Sequence, residues 1–220
     1  IIVMSVMNGF RAELFDKIVG LNGHAVVQGF NGRLPDWRSI ADEAKRTPGV
    51  TTALPLIEQP LMATANGRFE GALVRGMRIE DLRANQTMNA NVVAGDLKTV
   101  TPGSEKAAVG SRLAQTLGLV PGSQITLWNP DGPTTVVGTV PREVTYTVGA
   151  IFEVGVYDYD KAFVVLPMED AQQLLLMGDE VGMIEVKTDD PDKVGEILAP
   201  LQQKLGGRAV VTDWRQMNSA

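Results

Sequence analysis

Few of the side chains that carry out chemistry in enzymes are available in this chain. Its 220 residues include no cysteine and a single histidine, His24. A thiol nucleophile, a cysteine-based metal site and a multi-histidine metal site are therefore excluded, and a Ser/His/Asp triad would have to use His24. That histidine follows Asn22-Gly23 at the start of a predicted strand, where hydrogen bonding is a more common role than catalysis. We expect no catalytic residue, no metal and no cofactor.

Acidic residues form two clusters, and neither has the spacing of a calcium loop. Asp158 and Asp160 alternate with tyrosines, and three more aspartates lie within 189–192. A calcium loop also needs a glycine at its sharp turn and a final bidentate glutamate. The first cluster is predicted to be a solvated turn and the second a helix N-terminus, which favours carboxylates. The phosphate loop, the dinucleotide fingerprint and the nucleophile elbow are also missing, so an enzyme is the weaker hypothesis.

The charge balance argues against nucleic acid and anionic lipid as partners. Asp and Glu (26) outnumber Lys and Arg (20), which gives a formal net charge of −6. No basic run is present that could neutralise phosphates. With 44% apolar residues, the chain can form the core of one large or two small domains.

A strand–helix–strand pattern occurs near both ends of the chain. The predicted elements are 24–28, 35–47 and 50–56 in the first unit, and 181–187, 191–205 and 209–212 in the second. Two such units predict one split α+β domain with a ferredoxin-like sheet and helices on one face; chance similarity between common patterns is the alternative. A strand at 163–166 and a helix at 168–177 are assigned to the same domain.

The middle of the chain is predicted to be mainly β. Turn clusters of Gly, Pro, Asn and Asp separate strands from one short helix. The strands are 67–75, 124–128, 134–140 and 144–152, and the helix is 111–117. The fold class is therefore α+β, with an α/β domain over 22–86 and 151–213 and an inserted β-rich subdomain over 87–150.

The uncharged apolar run Ile1–Met7 is either the exit of a membrane helix or a buried first element. A predicted helix follows, with Phe10, Leu14 and Ile18 on one stripe. This favours the first alternative, because a membrane helix would extend directly into a stalk. Residues 1–21 are thus predicted as membrane-helix end and stalk, and 214–220 as the start of a return stalk to a second membrane helix.

Several motifs carry a family resemblance. The segments 3–10, 166–174 and 213–214 resemble lipoprotein-releasing permeases of the LolC/LolE family. The segments 91–97, 108–114 and 117–123 resemble the wider periplasmic core of MacB/FtsX-type permeases. The resemblance covers nearly the whole chain, and it implies a MacB-like periplasmic core with an α/β porter subdomain and a β-rich one.

The resemblance implies the periplasmic domain between the first two membrane helices of an inner-membrane permease. Such a permease works with a partner permease subunit and cytoplasmic LolD-like ATPase subunits. ATP hydrolysis on those subunits extracts outer-membrane lipoproteins from the bilayer, and the lipoprotein cargo passes to a periplasmic LolA-like carrier chaperone. This domain would bind and transmit motion without catalysis.

The stretch from Pro130 to Pro141 is the most informative candidate binding segment. Residues 134–140 carry no charge, and three of the seven are valine. An exposed strand of this kind aggregates unless it is paired or covered, and the bracketing prolines limit its pairing. It is either a strand packed within the β-rich subdomain or a protruding apolar loop held for a partner.

In the carrier-binding subunit of the family, a Pro-bracketed β-hairpin hook at this place enters the carrier's hydrophobic cavity. The resemblance thus implies partner-binding residues at Pro130, Pro133, Val136, Val137, Gly138, Val140, Pro141 and Arg142. In the family, a surface beside the hook carries basic and amide groups. At the matching place in this chain, near Thr126, only Arg142 could supply a positive charge. Phe10, Leu14 and Ile18 are candidate stalk contacts to lipoprotein.

Two other functions stay open at this point. The chain could be the lipoprotein-receiving subunit of the same complex, which does not dock the carrier and in which the stalk face would matter more. It could also be the periplasmic domain of a MacB/FtsX-like export or signalling permease.

Overall fold

The computed structural model describes residues 23–213. The predicted segments 1–21 and 214–220, and with them Phe10, Leu14 and Ile18, lie outside the described residues. The described chain forms two compact units. We call residues 23–57 with 179–213 the terminal unit and residues 58–178 the central unit.

The helices and strands follow one another along the described chain without long gaps. They are β1 (Ala25–Gln28), α1 (Trp37–Arg46), β2 (Val50–Ala65), β3 (Arg68–Met77), α2 (Ile79–Ala84), α3 (Gln86–Ala90), β4 (Val92–Gly95), β5 (Lys106–Gly110), α4 (Ser111–Leu117), β6 (Gln124–Asn129), β7 (Thr134–Thr135), β8 (Gly138–Thr139), β9 (Arg142–Phe152), α5 (Tyr157–Ala162), β10 (Phe163–Pro167), α6 (Met168–Leu175), β11 (Met183–Thr188), α7 (Val194–Leu205) and β12 (Val210–Asp213). None of the helices within 23–213 is long and apolar enough to cross a membrane.

The terminal unit has the predicted ferredoxin-like topology. Its strand order is β12-β1-β11-β2, and every neighbouring pair is antiparallel. Buried residues recur at helical spacing on both of its helices: Trp37, Ile40, Ala41 and Ala44 on α1, and Val194, Leu198, Leu201 and Leu205 on α7. The two sequence-distant βαβ patterns therefore complete one sheet, and the α+β prediction is confirmed.

The strands of the central unit pair in a closed circuit. The second half of β2 is followed by β3, β10, β5 and β9 in hydrogen-bonding order, and β6 pairs with both β9 and β2. The short strand β4 pairs with β9 outside this circuit. The predicted insert over 87–150 lies entirely within this unit, which also includes β3 and β10.

One strand and its helix belong to a different unit from the one predicted. The sequence assigns 163–166 and the following helix to the terminal βαβ units, whereas β10 pairs with β3 in parallel and with β5 in the antiparallel sense. All five residues of β10 are buried. A uniformly apolar strand fits the centre of any sheet, so its sequence carries no information about which strands lie beside it.

A buried ion pair lies inside the central unit. Arg75 of β3 donates from Nε to Glu58 Oε1 of β2 at 2.7 Å, and both residues are 8% exposed. The Arg75 guanidinium also lies 5.0 Å from the ring centroid of Phe163. Two adjacent strands and β10 thus meet around one buried cation.

Candidate partner-binding hook

The predicted hook is the tip of the hairpin formed by β6 and β9. The two strands pair from Gln124 opposite Thr147 to Asn129 opposite Arg142. The chain therefore leaves the sheet after Asn129 and rejoins it at Arg142. We call the intervening residues 130–141 the hook, and all of the predicted hook residues except Arg142 lie in it.

The hook contains its own small hairpin. Residues 134–140 were predicted as one strand, but they form β7 and β8 joined by a turn at Val136 and Val137. The Thr135 hydroxyl donates to the Gly138 carbonyl at 2.9 Å. Gly138 has a φ of +110°, which a residue with a side chain rarely adopts. That glycine lets the chain reverse, which is why a single strand does not form.

The neck of the hook is narrow. The backbone N–H of Val140 donates to the carbonyl of Pro133 at 3.1 Å. Gly132 is buried between the two chain segments, and a Cβ at this position would lie 2.0 Å from the Val140 carbonyl oxygen. Only glycine therefore allows the two segments to approach this closely.

The apolar side chains at the tip are open to solvent. Val136 is 106% exposed and Val137 86%, while Val140 at the neck is 39% exposed. Single exposed apolar residues are ordinary on protein surfaces. Val136 and Val137, however, are adjacent at the end of an uncharged hairpin and do not pack against the central unit. Their apolar surface is therefore available to another molecule.

A polar cluster lies on the buried face beneath the hook. Asn129 and Asp170 are buried, and the Arg142 Nε atom is buried without a hydrogen-bond partner among the described residues. Asp170 Oδ1 accepts from the Gly103 N–H at 3.0 Å. Burial raises the pKa of Asp170, and burial together with the nearby Asp170 charge raises the pKa of Tyr146.

The opposite face of the same hairpin is polar and exposed. The Thr126 and Thr145 hydroxyl oxygens lie 2.8 Å apart. Side chains alternate between faces along a strand, so Arg142 points to the same side as the buried Tyr146, away from Thr126. The structure thus places Arg142 on the inner face, and Glu143 is the charged residue of β9 on the Thr126 face.

This exposed face continues into an open groove of about 660 Å³. Trp128 Nε1 donates to Thr64 Oγ1 at 2.9 Å, and Phe69, 68% exposed, lines the same groove. The groove exposes aromatic side chains and hydroxyl groups to solvent. Among the described residues that line it, the charged one is Arg68.

Two of the side chains first considered for catalysis or metal binding, His24 and Asp160, have structural roles. His24 Nδ1 accepts from the Thr188 N–H at 2.8 Å, the hydrogen-bonding role predicted for it. The predicted solvated turn around Asp160 is instead α5. The Asp160 carboxylate, 2% exposed, accepts from the N–H groups of Val154 (2.8 Å) and Gly155 (3.0 Å). Between residues 23 and 213, no group of three metal-binding side chains could hold an ion.

Sequence reasoning did not identify Asn129 and Gly132 as parts of the site. The signal was the run Asn129-Pro130-Asp131-Gly132, whose residue types are typical of turns. The Asn129 side chain accepts from the Asp131 N–H at 3.0 Å, the local bond that such a turn predicts.

Relatives of known sequence match the chain along its whole length. The lipoprotein-releasing system transmembrane protein LolC of Xylella fastidiosa (strain Temecula1) is 30% identical over 224 residues, covering 100% of this chain and 52% of that protein. LolC of Neisseria meningitidis serogroup B is 28% identical over 219 residues, covering 99% and 53%. This chain therefore spans about half the length of these relatives.

Two solved structures share the fold at low sequence identity. The extracellular domain of the noncanonic ABC-type transporter YknZ from Gram-positive bacteria has a TM-score of 0.56 at 10% identity, covering 86% of this chain and 99% of that one. The periplasmic region of MacB from Actinobacillus actinomycetemcomitans has a TM-score of 0.54 at 12% identity, covering 94% and 96%.

A sequence profile identifies the family to which the chain belongs. The profile of the MacB-like periplasmic core domain matches residues 1–204 of the 220. Together with the LolC relatives, this match confirms the resemblance drawn from the sequence motifs. The chain belongs to the family of MacB-like periplasmic core domains.

Proposed function

We propose that this chain is the periplasmic domain of an inner-membrane ABC transporter permease that releases outer-membrane lipoproteins and hands them to a periplasmic carrier through its hook. The observation that carries the proposal is the pair Val136 and Val137, almost fully exposed at the tip of the hook. The hook belongs to a chain that is similar to LolC proteins over its full length.

The chemistry of the hook suits a partner with an apolar cavity. A carrier that shields the acyl chains of a lipoprotein from water must have such a cavity. The part of the hook between Pro133 and Pro141 has no charged side chain, so entry of this part into that cavity would desolvate no ion. Burial of its valines would drive the association.

The remaining partners follow from the same proposal. A second permease subunit and two cytoplasmic ATPase subunits would complete the transporter, and ATP hydrolysis on the ATPase subunits would drive lipoprotein release. This domain, in the periplasm, would bind and position partners. The stalk residues Phe10, Leu14 and Ile18 are proposed lipoprotein contacts.

The test is binding of the purified chain to the periplasmic lipoprotein carrier of the same organism. One form is unaltered, and in a second form residues 133–140 are replaced by a short Gly-Ser turn. We expect binding by the first form and none by the second. No binding by either form, or equal binding by both, would overturn the docking proposal. Absence of binding by both forms would favour a lipoprotein-receiving subunit or an export permease.

A further inference from the structure

One buried side chain connects the hook to a helix of the central unit. Asn129, 4% exposed, is the last residue of β6 before the hook. Its Nδ2 donates to the carbonyl of Leu174 on α6 at 3.1 Å. Its Oδ1 accepts from the N–H of Asp131, the second residue of the hook, at 3.0 Å.

Both bonds satisfy groups that would otherwise need another partner. The last carbonyls of a helix have no intrahelical donor, and Leu174 lies one residue before the end of α6. The Asp131 N–H lies where the chain leaves the sheet ladder. The carboxamide thus joins a helix end to the first turn of the hook.

The choice of asparagine contrasts with the other inward-facing residues of the strand. The buried positions of β6 are Ile125, Leu127 and Asn129. A buried carboxamide is costly unless it is hydrogen-bonded. The two hydrogen bonds of Asn129 offset the cost of burying its carboxamide. Both can form only when the hook keeps a fixed orientation relative to α6.

We propose that Asn129 is a positioning residue that fixes the direction of the hook relative to the central unit. The proposal rests on the docking function of the hook for its biological role, but the structural link can be measured separately. A fixed direction lowers the entropy lost when a partner engages the tip.

The experiment uses the absence of native cysteine. Val137→Cys at the tip and Gln115→Cys on the exposed side of α4 receive spin labels, and pulsed dipolar spectroscopy measures their distance distribution. The unaltered background should give one narrow distribution. Asn129→Leu keeps the branching of the side chain but removes both hydrogen bonds, so it should broaden the distribution. Carrier affinity measured without labels should fall about tenfold, because docking would then have to order the hook.

Two further variants separate the interpretations. Asn129→Asp keeps the acceptor for Asp131 and loses the donor to Leu174, so it should broaden the distribution as Leu does. Thr47→Val is the control. Thr47 is buried, and its Oγ1 makes a partly buried hydrogen bond to a helix carbonyl, that of Glu43 at 3.0 Å in the terminal unit. Loss of this bond should leave the distribution narrow.

Each outcome has a defined meaning. A broad distance distribution in the labelled chain that keeps Asn129 overturns the proposal. This outcome needs no Asn129 variant, so the proposal can be refuted even if the variants misfold. An unchanged distribution in folded Asn129→Leu overturns it as well. If the unaltered chain shows a narrow distribution and no carrier binding, the docking function fails while the positioning role of Asn129 is still decided by the variants.

Discussion

Replacing Val136 and Val137 together by serine tests the energetic basis of docking. Both side chains are almost fully exposed, at 106% and 86%, and neither contributes to the core. Exposed substitutions of this kind change the free energy of unfolding by about 0.5 kcal/mol or less. The double variant should therefore fold like the unaltered chain, and any loss of carrier binding would come from the contact itself.

The size of that loss follows from the exposed area. Complete burial of a valine side chain contributes about 1.5–3 kcal/mol. At the lower limit the two valines together contribute about 3 kcal/mol, and each 1.4 kcal/mol corresponds to a tenfold change in the dissociation constant. Because serine retains almost none of this apolar area, the variant should bind the carrier roughly 100-fold more weakly.

Isothermal titration calorimetry with the carrier measures this change. The matched control is Val120→Ser combined with Val93→Ser, because those valines are 63% and 59% exposed in the same unit but lie outside the hook. The control should bind like the unaltered chain. A loss smaller than about threefold in the hook variant, or an equal loss in the control, would refute the burial argument.

Two further predictions concern the central unit. Glu58→Ala should lower the free energy of unfolding in urea by about 1.5–3 kcal/mol because the buried Arg75 guanidinium loses its charged hydrogen bonds to Glu58, and Glu58→Leu with Arg75→Met should recover most of it; a loss below about 1 kcal/mol in the single variant would contradict this. Burial raises the pKa of folded Asp170 above its ordinary value of 3.8, so the stability linked to its protonation is complete below that value and is lost as pH rises through the folded pKa. Asp170→Asn should therefore raise the unfolding midpoint at pH 7 but not near pH 3 in thermal scans, and an equal shift at both pH values would argue against a buried carboxylate penalty.

Local patterns were sufficient to predict most of the terminal unit. The apolar spacing of Ile40 and Ala44 on α1 and of Val194 and Leu201 on α7 determines which face of each helix is buried. Two βαβ units with the same order of elements then have few ways to share a sheet. For this reason the ferredoxin-like topology was predictable although its halves are more than 100 residues apart in sequence.

The assignment of β10 failed for a different physical reason. All five of its residues are buried, so hydrophobic alternation is absent and nothing in the local sequence selects neighbouring strands. Asp160 was missed similarly, because its partners are the backbone N–H groups of Val154 and Gly155. Backbone partners have no residue type that a sequence could reveal.

The sequence alone determined that the chain lacks thiols and has one histidine. It also predicted that two βαβ units share one ferredoxin-like sheet, and that an uncharged segment bracketed by prolines is the best candidate for binding. These conclusions depend on the amino-acid composition and on local sequence patterns, which can be read without knowing the fold. The tertiary structure decided that Val136 and Val137 lie at an exposed tip, that Arg142 turns inward, and that Asn129 joins the hook to α6. Those features depend on which face of a strand is covered and which distant backbone group comes within hydrogen-bonding distance, and only the folded chain establishes both.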